Sequence, residues 1–116
     1  MSKPPTNLCI VWTSPQREVA LHMAFMYGGN AAGRGWWEQV RFIVWGPSQP
    51  LLLGDGELKS RLAGMAEAGV ELMACKACAE NYDIVKDLAD LDLNVQYTGT
   101  LLTQMLKAPD WSVLTV

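Results

Sequence analysis

Five short segments with the character of β-strands occur along this chain, and helix-compatible segments separate them. The five are Leu8–Trp12, Val40–Trp45, Val70–Ala74, Asn94–Tyr97 and Ser112–Val116. The first is apolar at every position, which is typical of a strand buried on both faces. Strands that alternate with helices form βαβ units, whose strands are parallel. The sequence therefore predicts one α/β domain over residues 1–116, with three α/β/α layers and a mainly parallel five-stranded sheet.

The segment after the first run is predicted to be a helix that is apolar on two sides. Ser14 is its predicted N-cap with Pro15 at the first helical position, and Gly28-Gly29-Asn30 is predicted to end it after Tyr27. One apolar side would face the sheet and the other a neighbouring subunit. A loop is predicted to follow the second strand, through Pro50.

Two further helices have clear signals. Leu58, Leu62 and Met65 recur at helical spacing, with Asp55 near the start of their helix. Asp83 interrupts the helix that follows the third strand and is predicted to cap its continuation.

Composition narrows the possible partners. The 116 residues carry a net charge of −3, which argues against nucleic acid, because nucleic-acid binding usually requires a basic face. The polar start, residues 1–7, lacks the build of a signal peptide, and no apolar stretch approaches the ~20 residues that span a bilayer. A cytoplasmic protein without membrane contact is expected, and cysteines in that compartment stay reduced.

The chemistry is predicted to lie in Cys75-Lys76-Ala77-Cys78, where the third strand meets a helix. A thiol placed there lies beside unpaired backbone N–H groups and the positive end of the helix dipole, which stabilise a thiolate. Cys75, which is nearer the N-terminus of the helix, is the predicted nucleophile. Cys78, three residues later on the same face, is the predicted resolving thiol.

Sites in parallel α/β sheets lie outside the carboxyl ends of the strands. Predicted neighbours of the thiols at that edge are Thr13, Ser14, Gly46, Pro47, Ser48, Lys76, Tyr97 and Gly99.

Other interpretations of the cysteine pair remain open. One is that the two cysteines are small apolar core residues without a chemical role, because free cysteine is often buried. Zinc is disfavoured, because a structural site needs four ligands and neither Cys9 nor His22 stands at ligand spacing. A thioredoxin-type oxidoreductase fits C-x-x-C before a helix, although here the motif follows the third strand.

The remaining candidates are weaker. His22 is interpreted as a solvated side chain and Cys9 as a core residue. The glycines do not form a dinucleotide or phosphate-binding motif. No metal or cofactor is predicted.

The chain resembles the DsrE/DsrF-like family of small sulfur-relay proteins, of the TusD and YchN types. The likeness covers nearly the whole chain, and it lies in Phe42–Ser48, in Gly69–Ala79 around Cys75, in Val95–Gly99 and in the ending Val113–Val116.

The resemblance implies a five-stranded parallel sheet between helices and assembly as a homotrimer or homohexamer. It also implies a persulfide on Cys75, received from a sulfur-donor protein and passed to an acceptor protein. Cys78 departs from the TusD type, which has a small non-thiol residue there. Asp83 replaces a glycine that is common before the continuing helix.

The expected function is therefore that of a sulfur carrier with sulfurtransferase-type chemistry at Cys75. Two alternatives belong to other classes: a non-catalytic oligomeric assembly module, and a C-x-x-C thiol–disulfide oxidoreductase.

Overall fold

The computed structural model describes residues 3–116, and its centre is a five-stranded sheet. The order across the sheet is β4-β3-β2-β1-β5, and every neighbouring pair is parallel. The strands are β1 (Asn7–Trp12), β2 (Gln39–Val44), β3 (Glu71–Cys75), β4 (Asn94–Gln96) and β5 (Trp111–Thr115). The predicted α/β class and all five strands are confirmed, with ends that differ by one residue.

Helices cover both faces of the sheet. The long helix α1 consists of Arg17–Val19, a π-helical stretch Ala20–Ala24, and Phe25–Gly33. The others are α2 (Ser48–Leu53), α3 (Gly56–Glu67), α4 (Lys76–Tyr82), α5 (Val85–Ala89) and α6 (Gly99–Lys107). None of these helices combines the length and apolarity that crossing a bilayer requires, as far as residues 3–116 are concerned.

Alternating residues of the strands build two cores. Trp12, Phe25 and Phe42 form the aromatic centre of the larger one, with ring centroids 4.9 to 5.9 Å apart. On the other face, Cys9 packs with Met105 of α6. Side chains along a strand point to opposite faces in turn, so a strand apolar at every position needs both layers.

The predicted ends of α1 are wrong. The side chain of Ser14 does not cap the helix but accepts a hydrogen bond from the N–H of Gln16 at 3.1 Å, and the helix begins at Arg17. The helix also continues through Gly28 to Gly33. A Cβ on Gly28 would lie 3.3 Å from Cδ1 of Ile10, so this glycine allows close packing rather than ending the helix.

Two other local predictions are also corrected. Pro50 lies in helix α2 rather than in a loop, which the first turn of a helix tolerates because its N–H groups have no helical partner. Asp83 does not cap α5, whose N-cap is Ile84 without a side-chain hydrogen bond. Asp83 instead ends α4 in the left-handed conformation, at φ 56°.

Helix α3 follows its prediction. The side chain of Asp55 accepts hydrogen bonds from the N–H groups of Glu57 and Leu58, both at 3.1 Å. Leu58, Leu62 and Met65 are buried against the first core, as their spacing predicts.

Candidate functional site

Cys75 lies at the carboxyl end of β3 and is the N-cap residue of α4. Its backbone is extended (φ −69°, ψ 114°), so its side chain turns back toward the first turn of the helix. Its Sγ accepts a hydrogen bond from the N–H of Cys78 at 3.5 Å. The side chain is buried, with only 3% of the residue exposed. The strand-to-helix junction thus places a thiol where the sequence predicts one.

Cys78 contacts Cys75 directly. The two Sγ atoms are 3.0 Å apart, with the Cys78 thiol as donor, and neither cysteine is in a disulfide. Burial, followed by the hydrogen bond to Cys75, raises the pKa of the Cys78 thiol to about 11, although the N–H of Gly46 opposes this change. At neutral pH Cys78 is therefore a protonated thiol that can donate to a neighbouring sulfur.

Gly46 is the only part of the predicted Gly46-Pro47-Ser48 segment with a described contact to a thiol. It adopts φ 68°, a conformation that favours glycine, and its backbone N–H acts to lower the pKa of the Cys78 thiol. The hydroxyl of Ser48 is used elsewhere, because it donates to the carbonyl oxygens of Trp12 at 2.7 Å and Trp45 at 3.1 Å. Pro47 is exposed.

Lys76 and Tyr97 meet beside the cysteine pair. The Nζ of Lys76 lies 5.2 Å from the centroid of the Tyr97 ring, and the Tyr97 hydroxyl donates to Oε1 of Glu80 at 2.8 Å. That hydrogen bond is the main reason that the pKa of Tyr97 is raised. Tyr97 is 59% exposed, so this group forms an open rim rather than a buried wall. Glu80 was not predicted.

Thr13, Ser14 and Gly99 do not bond to the cysteines. The backbone N–H groups of Thr13 and Ser14 and the hydroxyl of Thr13 all donate to the carbonyl oxygen of Val116. These two residues fix the last strand to β1, two strands away from β3. The carbonyl of Gly99 accepts from the hydroxyl of Thr103 at 2.9 Å within α6.

Gln49 contacts the backbone of Cys75, and the sequence does not predict this contact. Gln49 is fully buried, and its Nε2 donates to the carbonyl oxygens of Val44 at 3.1 Å and Cys75 at 3.0 Å. No motif marks this residue, and the only signal in the sequence is a polar side chain just after the turn that ends the second strand.

The other titratable candidates lie away from this pair. Cys9 is fully buried under α6, and burial raises the pKa of its thiol to about 12. His22 is exposed, with Nε2 3.2 Å from Glu18 Oε2. Among residues 3–116, no three His, Cys, Asp or Glu side chains are grouped so that they could hold a metal ion.

Comparison with known proteins supplies one match. No family model and no curated protein matches the chain. The chain is similar to the solved structure of BT1422 from Bacteroides thetaiotaomicron, described as a conserved protein of unknown function. The identity is 31%, the match covers 96% of this chain and 95% of BT1422, and the TM-score is 0.90. The chain belongs to the same family as BT1422. That relationship confirms the fold, and because the description of BT1422 names no reaction, function has to be argued from the site.

Proposed function

We propose that this protein is a DsrE/DsrF-like sulfur carrier that accepts sulfane sulfur as a persulfide on Cys75. The observation that carries the proposal is the pair of donors on the Cys75 sulfur, the N–H of Cys78 at 3.5 Å and its S–H at 3.0 Å. Both groups donate to the sulfur atom that the proposal makes the nucleophile, and the thiolate is the form of a thiol that attacks sulfur. The family resemblance seen in the sequence supports the same assignment.

The chemistry is thiol exchange at sulfur. The Cys75 thiolate attacks the outer sulfur of a donor persulfide, R–S–SH, so that an S–S bond forms between Cys75 Sγ and that sulfur while the S–S bond of the donor breaks. The products are Cys75 persulfide and the donor thiolate R–S⁻, which carries away the electron pair. An acceptor thiolate then attacks the outer sulfur of Cys75 persulfide, which transfers the sulfur and regenerates the Cys75 thiolate.

Cys78 fits the donor role at neutral pH. With a pKa raised to about 11, it holds its proton and can hydrogen-bond to the sulfur of Cys75. Attack by Cys78 on the inner sulfur of a Cys75 persulfide would release HS⁻ and form a Cys75–Cys78 disulfide. That closure needs the Cys78 thiolate, so we expect it to become faster as the pH rises toward 11.

The partners in this proposal are a sulfur-donor protein and a thiol acceptor protein, in the cytoplasm, with this chain as a homotrimer or homohexamer. The exposed Tyr97 and the half-buried Lys76 form the rim beside the thiols, so a partner that delivers or removes sulfur is expected to contact them first. No nucleic acid or membrane takes part.

The test is persulfide loading of cysteine variants. The protein is incubated with a small-molecule persulfide, labelled with an alkylating reagent and analysed by mass spectrometry, beside Cys75→Ser and Cys9→Ser. Loading should be lost in Cys75→Ser and kept in Cys9→Ser, because Cys9 packs under α6, away from the cysteine pair. Loading that survives Cys75→Ser unchanged would refute the assignment.

A thiol–disulfide oxidoreductase is a second candidate, favoured by the 3.0 Å distance between the two Sγ atoms. Such an enzyme would reduce a protein disulfide and form the Cys75–Cys78 bridge stoichiometrically. A sulfur carrier would transfer sulfane sulfur without consuming that pair.

A non-catalytic assembly module is a third candidate, and it belongs to a different class. Its support is the apolar surface of α1, where Met23 and Met26 are exposed by 39% and 49%. In this case Cys75 would react with alkylating reagents no faster than an ordinary thiol.

A further inference from the structure

Gln49 is a buried amide with an incomplete set of partners. Its Nε2 donates to two carbonyl oxygens, but its Oε1 meets no donor among the residues that the structure describes. A buried acceptor without a partner destabilises the folded state. An apolar side chain of the same length would avoid that penalty but would leave the carbonyl oxygens of Val44 and Cys75 without this donor, so the two hydrogen bonds are what require a glutamine here.

The two bonds of Gln49 meet at the point where β2 and β3 separate. Pairing between these strands ends at Val44 and Ala74, and Cys75 pairs only with Gln96 of β4. On the β2 side, the carbonyl oxygen of Cys75 is therefore held by the Gln49 amide. That amide bridges Val44 and Cys75 and extends the connection between the strands by one residue.

The carbonyl of Cys75 belongs to the peptide that leads into α4. The orientation of that peptide determines where the N–H groups of the first helical turn point relative to the Cys75 sulfur. The backbone N–H of Gln49 also donates to the carbonyl oxygen of Gly46 at 3.0 Å, and the N–H of Gly46 acts to lower the pKa of the Cys78 thiol. Gln49 is thus connected to the surroundings of both thiols without touching either sulfur.

We propose that Gln49 is a positioning residue, which holds the Cys75–Lys76 peptide so that the Cys75 sulfur meets its two donors. This role rests on the proposed function of Cys75 as the sulfur acceptor. Gln49 contacts no reacting atom, and its effect passes through the backbone of Cys75.

The chain offers a matched control in Asn7. It too is a buried amide whose carbonyl oxygen, Oδ1, has no described partner, and its Nδ2 donates to Asp110 at 3.4 Å. Asn7 is the first residue of β1, at the opposite end of the sheet from the cysteines. Asn7→Leu and Gln49→Met each remove one buried side-chain amide, from opposite ends of the sheet.

The experiment measures the alkylation rate of Cys75 against pH in the native protein, with peptide mapping to assign the label. In Gln49→Met we expect the rate at neutral pH to fall about tenfold and the profile to move to higher pH, since one hydrogen bond to a charged group is weakened. Asn7→Leu should match wild type. Thermal unfolding of both variants reports stability separately.

The inference is overturned if Gln49→Met has the wild-type profile, or if Asn7→Leu moves the profile equally. Should Gln49→Met fail to fold, Gln49→Asn keeps an amide that is too short to bridge both carbonyl oxygens, and the same shift is expected. Alkylation does not depend on sulfur transfer. A wild-type protein that never loads persulfide therefore refutes the proposed function, whereas wild-type behaviour of Gln49→Met refutes only the role of Gln49.

Discussion

Substitution of Cys78 distinguishes two roles that its thiol could play toward Cys75. As a donor, the S–H of Cys78 lies 3.0 Å from the Cys75 sulfur and stabilises negative charge there. As a resolving thiol, Cys78 would instead attack a persulfide carried by Cys75. Serine keeps a hydroxyl donor at this position but cannot form a disulfide, and alanine can do neither.

The structure sets the size of the expected effect. A hydrogen bond to a charged group contributes about 1.5–3 kcal/mol, and a thiol is a weak donor, so the lower end of that range applies. The backbone N–H of Cys78 at 3.5 Å is unaffected by the substitution and continues to support the Cys75 sulfur. Loss of the side-chain donor should therefore slow alkylation of Cys75 at neutral pH by about tenfold.

The assay is the alkylation rate of Cys75 in wild type, Cys78→Ser and Cys78→Ala, followed by mass spectrometry. The donor role predicts that Cys78→Ser reacts nearly as fast as wild type, and that Cys78→Ala reacts about tenfold more slowly. Equal rates in all three proteins would refute the donor role. If the two variants lose sulfur release equally while alkylation stays normal, Cys78 acts as a resolving thiol.

Two further predictions concern stability. Burial raises the pKa of Cys9 from 9.0 to about 12, so the unfolded chain ionises this thiol at a lower pH than the folded chain does, and the free energy of unfolding should fall between those pH values by at most about 4 kcal/mol. Urea unfolding should show a smaller alkaline loss of stability in Cys9→Ala than in wild type. An equal loss in the two proteins would contradict this prediction. Asp83→Gly should raise the free energy of unfolding by up to about 1 kcal/mol over Asp83→Ala, because φ is 56° at this position. Equal denaturation midpoints in these two variants would contradict the backbone argument.

Much of the fold could be predicted because the first strand, β1, is buried at every position. Leu8–Trp12 is apolar at every position, as expected for a strand that is covered by helices on both faces. The end of α1 could not be predicted, because the sequence does not show which of two structural roles Gly28 has. It can end a helix or allow close packing, and only the position of Ile10 against it decides between them.

The site was predicted in part, for a similar reason. The carboxyl ends of parallel strands share one edge, so Cys75, Gly46 and Tyr97 could be expected there. Thr13 shares that edge but directly follows β1, and the order of the strands across the sheet, which the sequence does not give, places β2 between β1 and β3. Gln49 was missed because its partners are backbone carbonyls, which carry no sequence signal.

The most direct test of Cys75 as the sulfur acceptor is to locate the added sulfur in the wild-type protein. The native protein is incubated with a small-molecule persulfide at neutral pH, trapped with an alkylating reagent and digested with trypsin, which cleaves after Lys76 and so places Cys75 and Cys78 in different peptides. If Cys75 is the sulfur acceptor, one additional sulfur atom is found on Cys75, with Cys9 and Cys78 unchanged. Sulfur found on Cys78 or Cys9 instead, or on no cysteine, would contradict it.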